Sequence, residues 1–191
     1  MPEKPTDEEL MESYRDGDAG AFDQLYGRHR GGVFRYLLRQ CSNRALAEEL
    51  FQDVWMNLVR SRSVYTVQAK FTTYVYRIAH NRLIDHYRTQ KGVAIASFDD
   101  EDGPSLDDIP AKRSDDPAVS AESKQQAAGI LKEVASLPAA QREAFLLQQE
   151  SDMSVEEIAQ ATGVSRETAK SRLRYALAKL RAALVAREPT L

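Results

Sequence analysis

SVEEIAQATGVSRETAKSRLRYALAKLR, residues 154–181, decides the fold. It reads as a helix, a tight turn and a second, basic helix, the pattern of a helix-turn-helix. Val155, Ile158 and Ala159 fall on one side of the first helix, and the small Ala159 lets the helices approach closely. Gly163 can take the positive φ of a sharp helix end. Val164 plugs the turn, and Ser165 is a good N-cap for the second helix. Ala169, Leu173, Leu177, Leu180 and Leu184 then recur every three or four residues as one apolar face. Arg166, Lys170 and Arg174 share another face. Residues 163–187 carry Arg166, Lys170, Arg172, Arg174, Lys179, Arg181 and Arg187 against Glu167, a net of about +6 facing any phosphate. A solvated basic face on a bundle helix gives the same pattern, so the segment alone leaves both readings open.

The chain of 191 residues has room for one large or two small domains. No apolar run is long enough for a membrane span. Residues 1–14, MPEKPTDEELMESY, lack the apolar core of a signal peptide. One cysteine, Cys41, excludes an internal disulfide framework and reads as a small half-buried residue in a reducing compartment. The net charge of −3 conceals segregation. Residues 97–118, SFDDEDGPSLDDIPAKRSDDPA, are strongly acidic, contain Pro104, Pro110 and Pro117, and lack periodicity. They read as an extended linker between two globular parts.

Helix signals dominate the rest. Thr6 and Glu9 form a capping box for a helix to about Arg15. A second helix is expected from Ala19 to Gln40, with Gly31–Gly32 as a weak point. Asn43 caps a third through Leu58. Residues 61–69 read as a loop, and a fourth helix spans Lys70 to Gln90. Past the linker, helices are expected near 119–135, 139–149, 154–161 and 165–186. The fold class is all-α: two small helical domains, 1–94 and 119–191, joined by a flexible acidic linker at 95–118.

Residues 70–91, KFTTYVYRIAHNRLIDHYRTQK, interleave bases with aromatic rings. Phe71, Val75, Ile78, Ala79 and Leu83 make a core face. Lys70, Thr73, Arg77, His80, Asn81 and Arg88 share another, with Tyr65, Tyr74, Tyr76 and Tyr87 in or beside the helix. Cations that track phosphate and rings that stack on unpaired bases suit single-stranded nucleic acid. An asparagine can read the edge of an unstacked base. Tyrosines at the edge of a core beside a solvated basic face would look the same. In residues 47–55, AEELFQDVW, the acidic Glu48, Glu49, Gln52 and Asp53 surface lies near Trp55, a pattern seen at partner contacts and on solvated helices. His29 is isolated, and His80 and His86 are spaced too far apart to share a helical face as metal ligands. No phosphate-loop, dinucleotide or zinc motif occurs, so neither an enzyme nor a cofactor or metal is expected.

These signals, in this order, resemble the extracytoplasmic-function group of bacterial sigma factors. The resemblance rests on GDAGAFDQLYGRH at 17–29, AEELFQDVW at 47–55, FTTYVYRIAHNRLIDHYR at 71–88, LPAAQREAFLL at 137–147 and the 154–181 stretch. It implies a region-two domain that holds the clamp of core RNA polymerase through Glu49, Gln52 and Asp53. That domain would read and help melt the minus-ten promoter element through the 61–72 loop and the face carrying Asn81, with Tyr65, Phe71, Tyr74, Arg77, Asn81 and Arg88 as single-strand contacts. A region-four domain would dock on the polymerase flap and read the minus-thirty-five element as duplex through Arg166, Lys170, Ser171 and Arg174. Two positions depart from the family pattern. Tyr74 stands where a tryptophan is usual, and Glu167-Thr168-Ala169 replaces Gly-Thr-Val. The implied partners are core polymerase, promoter DNA and an anti-sigma factor; the free protein is expected to be cytoplasmic, monomeric and outside the membrane. A linker of about 24 extended residues spans up to roughly 80 Å. A spacer of about 17 base pairs needs roughly 58 Å. A dimeric helix-turn-helix regulator and a protein-interaction module with basic helices are the alternatives.

Overall fold

The computed structural model describes residues 4–91 and 121–185. Among the described residues eight α-helices follow one another: α1 (Asp7–Arg15), α2 (Ala19–Cys41), α3 (Arg44–Ser61), α4 (Phe71–Lys91), α5 (Ala121–Ala135), α6 (Ala139–Ser151), α7 (Val155–Thr162) and α8 (Arg166–Val185). A 3-10 turn at Arg62–Val64 opens the loop between α3 and α4. No strand occurs among the described residues. The 95–118 linker expectation lies outside them.

Local chemistry sets the helix starts. Thr6 and Glu9 close the expected capping box on α1, and Asn43 accepts from Leu46 N–H at the start of α3. Ser154 and Glu157 form a second capping box on α7. Ser165 Oγ accepts from Thr168 N–H at the start of α8, and Gly163 ends α7 at φ +69°. The first turn of α4 is capped from another helix: Phe71 N–H donates to Glu8 Oε1 at 2.6 Å. The Asp7 carboxylate likewise ties α1 to Arg28 and His29 of α2, so His29 is a packing residue, its ring 5.1 Å from that of Phe71.

In the N-terminal half, α1 to α4 enclose Met11, Leu25, Tyr36, Leu37, Leu58, Phe71 and Leu83, all fully buried. Trp55 is buried too, edge-on to Tyr26 at 4.9 Å and to Phe22 at 6.0 Å. It belongs to the core, not to the acidic surface beside which the sequence reading put it. Cys41 is likewise more buried than expected; its thiol donates to Leu37 C=O and burial pushes its pKa up. In the C-terminal half, α5 and α6 pack with the α7–α8 pair around Leu146, Leu147, Ile158, Ala169, Leu173 and Ala176. Leu184, expected on the apolar face of α8, is 44% exposed.

The halves are not held apart. α6 packs against α2 and α7 packs against α4. Buried residues of both halves form one continuous cluster. Docking also explains Gly32, read from sequence as a weak point. α2 runs unbroken through it. A Cβ at Gly32 would lie 2.8 Å from the Tyr76 hydroxyl and 3.8 Å from the Glu150 carbonyl of α6. Gly27, in the same helix, would meet nothing within 4 Å. Replacing an exposed helical glycine by alanine stabilises by up to about 1 kcal/mol. Gly27→Ala is therefore expected to raise the melting temperature. Gly32→Ala is expected to lower it, and Tyr76→Phe in that background to recover most of the loss. A melting temperature for Gly32→Ala at or above that of Gly27→Ala would contradict the close approach.

Candidate nucleic-acid interface

On α8, Arg166, Lys170 and Arg174 are exposed along one side, as their spacing requires. They differ in freedom. The Arg166 guanidinium is ion-paired with Glu156 of α7, and Arg174 lies 5.0 Å from the Tyr175 ring. Ser171 is recessed, lining a cleft between the start of α6 and α8. Glu167 is the outermost carboxylate of this face, its side chain 76% exposed.

On α4, the predicted set divides. Arg77, Asn81 and Arg88 are exposed on one stripe. Phe71 is fully buried and Tyr65 is 5% exposed. Neither offers a ring face to a base in this arrangement, so both are interior supports of the loop rather than stacking platforms here. Thr73, expected on the polar face, is also buried. Tyr74 is half-buried, its hydroxyl 2.8 Å from Ser61 Oγ and its ring 5.1 Å from that of Tyr65. The loop instead turns Arg62, Ser63, Val64, Thr66, Val67 and Gln68 outward. Side-chain direction in a loop has no periodicity to read. On α3, Glu49, Gln52 and Asp53 are all exposed, with Met56, 48% exposed, one turn further on.

The feature that sequence reasoning missed lies between the halves. Glu143 of α6 is fully buried. Its Oε1 accepts from the Tyr36 hydroxyl of α2 at 2.5 Å and lies 2.7 Å from His80 Nδ1 of α4. Its Oε2 is buried with no hydrogen-bond partner. Seven residues on, Glu150 takes ion pairs from both Arg35, at 2.8 Å, and Arg39 of α2. Seven further, Glu157 pairs with Lys70 at 2.8 Å. Beside them, Arg142 donates to Gln40 Oε1 at 3.3 Å and to Ala135 C=O at 2.8 Å.

The electrostatics follow. Burial first, then the Glu143 charge, holds the Tyr36 phenol far above its ordinary pKa, so it remains a donor. Lys70, then the Ser154 N–H, holds the Glu157 carboxyl below the usual range. For His80 the largest influence is burial, which lowers its pKa. The charge of Glu143 and its hydrogen bond outweigh that, against opposition from Arg172 and Arg77, and the net shift is upward. Among the described residues no helix is long and apolar enough to cross a membrane.

Residues 25–93 match the family model for sigma-70 region 2, and residues 128–180 that for sigma-70 region 4. The chain is 33% identical over 172 residues to the RNA polymerase sigma factor CarQ of Myxococcus xanthus, covering 90% of this chain and 93% of CarQ. It is 32% identical over 177 residues to the sigma factor RpoE of Cereibacter sphaeroides, covering 90% and 91%. Among solved structures, RpoE of Bartonella quintana bound to the anti-sigma factor NepR has a TM-score of 0.68 at 22% identity, covering 87% of this chain and 98% of that one. CnrH bound to the cytosolic domain of CnrY has 0.67 at 21%, covering 95% and 99%.

A raised histidine pKa fixes the sign of a pH effect. His80 contributes fully below its unfolded value of about 6.5 and loses that contribution as pH rises through its higher folded value. The chain is expected to lose stability across that window in chemical denaturation series, and His80→Gln to remove that step. An identical step in the His80→Gln protein would contradict the Glu143 pairing.

Proposed function

We propose how the surfaces above divide the work of this chain, which belongs to the extracytoplasmic-function group of RNA polymerase sigma factors. As a sigma factor it binds core RNA polymerase and directs transcription initiation at particular promoters. Residues 1–94 act as the minus-ten unit and residues 119–191 as the minus-thirty-five unit, with 95–118 as the tether. On α8, Lys170 and Arg174 read the duplex, Arg166 is steered by Glu156, and Ser171 makes a recessed contact. The exposed stripe of Arg77, Asn81 and Arg88 carries the reading for single-stranded minus-ten DNA, with Tyr74 at its edge and Tyr65 and Phe71 beneath it. Glu49, Gln52 and Asp53 hold the polymerase, with Met56 as the apolar centre of that patch. The protein acts in the cytoplasm without catalysis of its own, and an anti-sigma factor restrains it.

Energetics favour this dependence on polymerase. Opening roughly ten base pairs costs about 14 kcal/mol at about 1.4 kcal/mol per step. Capture of two or three bases returns about 1–3 kcal/mol each. The chain cannot melt a promoter alone.

Asn81 is the most informative residue to test, since a primary amide offers both a donor and an acceptor to a base edge. Asn81→Ala is expected to reduce promoter opening in permanganate footprints, with a smaller loss on templates melted beforehand and no loss of core binding. Normal opening by a stably folded Asn81→Ala protein would remove it from the site. Lys170→Ala and Arg174→Ala are each expected to cost about 1–3 kcal/mol and to relax selection at one minus-thirty-five position if they read bases. Uniform weakening with a shallower salt slope would assign them to phosphate instead.

A further inference from the structure

The contact between the halves points to a role for Arg35 and Arg39 of α2, together with Lys70 and His80. We propose that Glu143, Glu150 and Glu157 occupy a basic face of the N-terminal half, formed by Arg35, Arg39, Lys70 and His80, that binds the phosphates of single-stranded promoter DNA once the halves separate. This rests on the reading of α4 as the minus-ten helix and extends it onto α2.

Closed, the chain cannot span a promoter. Glu157 touches Lys70 of the minus-ten half, while its neighbour Glu156 holds Arg166 of the reading helix. The two DNA-reading surfaces therefore stand side by side, whereas their elements lie roughly 58 Å apart. Initiation requires the contact to break. When it does, three carboxylates leave and four donors are exposed together. Arg35 and Arg39 meet on Glu150, and one oxygen of Glu143 brings α2 and α4 together through Tyr36 and His80.

The contact is also built to break. Besides the apolar residues that join the halves in one cluster, this interface buries the charged groups Glu143 and Arg142. Glu143 Oε2 and Gln40 Nε2 are buried without partners. Such groups cost stability that apolar packing would not. Arginine forks suit phosphate as well as carboxylate, so an incoming strand replaces like with like. The pairs also leave much of the cations exposed: the Arg35 and Lys70 side chains are 54% and 69% accessible. A strand can begin to engage them before the halves have fully separated.

The test uses the full chain without polymerase and a fluorescein-labelled deoxythymidine oligonucleotide. Glu143→Gln, Glu150→Gln and Glu157→Gln are combined; the Glu150→Gln, Glu157→Gln pair serves if the triple variant does not fold. Small-angle scattering should show expansion, and anisotropy about tenfold tighter binding at low salt. Adding Arg35→Ala and Arg39→Ala should abolish the gain and make the salt slope shallower by about 1.4, at about 0.7 per phosphate contact. Expansion with tighter binding that persists without Arg35 and Arg39 overturns the proposed face while keeping the α4 reading, which Asn81→Ala in the expanded variant then checks. Expansion without any binding overturns both. Absence of expansion overturns the role of the glutamates as the clasp.

Discussion

The buried carboxylate of Glu143 is the point on which the arrangement of the two halves depends. It has left water completely and is compensated by one phenol and one imidazole, both from the other half of the molecule. Removing one partner of a buried pair costs about 3–5 kcal/mol, because the remaining charge is stranded. No group within α6 replaces Tyr36 or His80 at its Oε1. The closed form is thus specified by a charge that is comfortable in only two places, this pocket or open water.

Around that point the other contacts act in graded fashion. Glu150 gathers two arginines and is nearly buried, whereas Lys70 opposite Glu157 is largely solvated. Solvated pairs contribute little and weaken with salt. Gly32 admits the Tyr76 hydroxyl and the end of α6 to the surface of α2. Glu157 has two duties, since its other oxygen accepts from Ser154 N–H in the capping box of α7. The first helix of the reading motif is therefore started by the same side chain that docks it. Functional state and local structure meet in one residue.

Much of each half was legible in the sequence. The helices lie within a few residues of the periodicity and cap signals, because Thr6, Asn43, Ser165 and Gly163 act locally. The α8 face of Arg166, Lys170 and Arg174 was legible because helical spacing alone places it. The inward turn of Tyr65 was not, since a loop carries no period. Phe71 had been placed on the core face by its spacing; a stacking role came only with the family resemblance, and the geometry favours the spacing. Docking was the least legible. Glu143, Glu150 and Glu157 read as ordinary polar positions on amphipathic helices, and their partners lie 63 to 115 residues away. Long-range ionic complementarity leaves no local mark.

The most direct measurement is the distance between spin labels at Ser63 and Gln160, both exposed, with the buried Cys41 replaced by alanine. Pulsed dipolar spectroscopy would compare the free chain with the same chain in the complex with polymerase and promoter. Docked halves give one narrow, short distance in the free chain, replaced by a clearly longer one in the complex. A broad or long distribution in the free chain, unchanged on assembly, would contradict that docking.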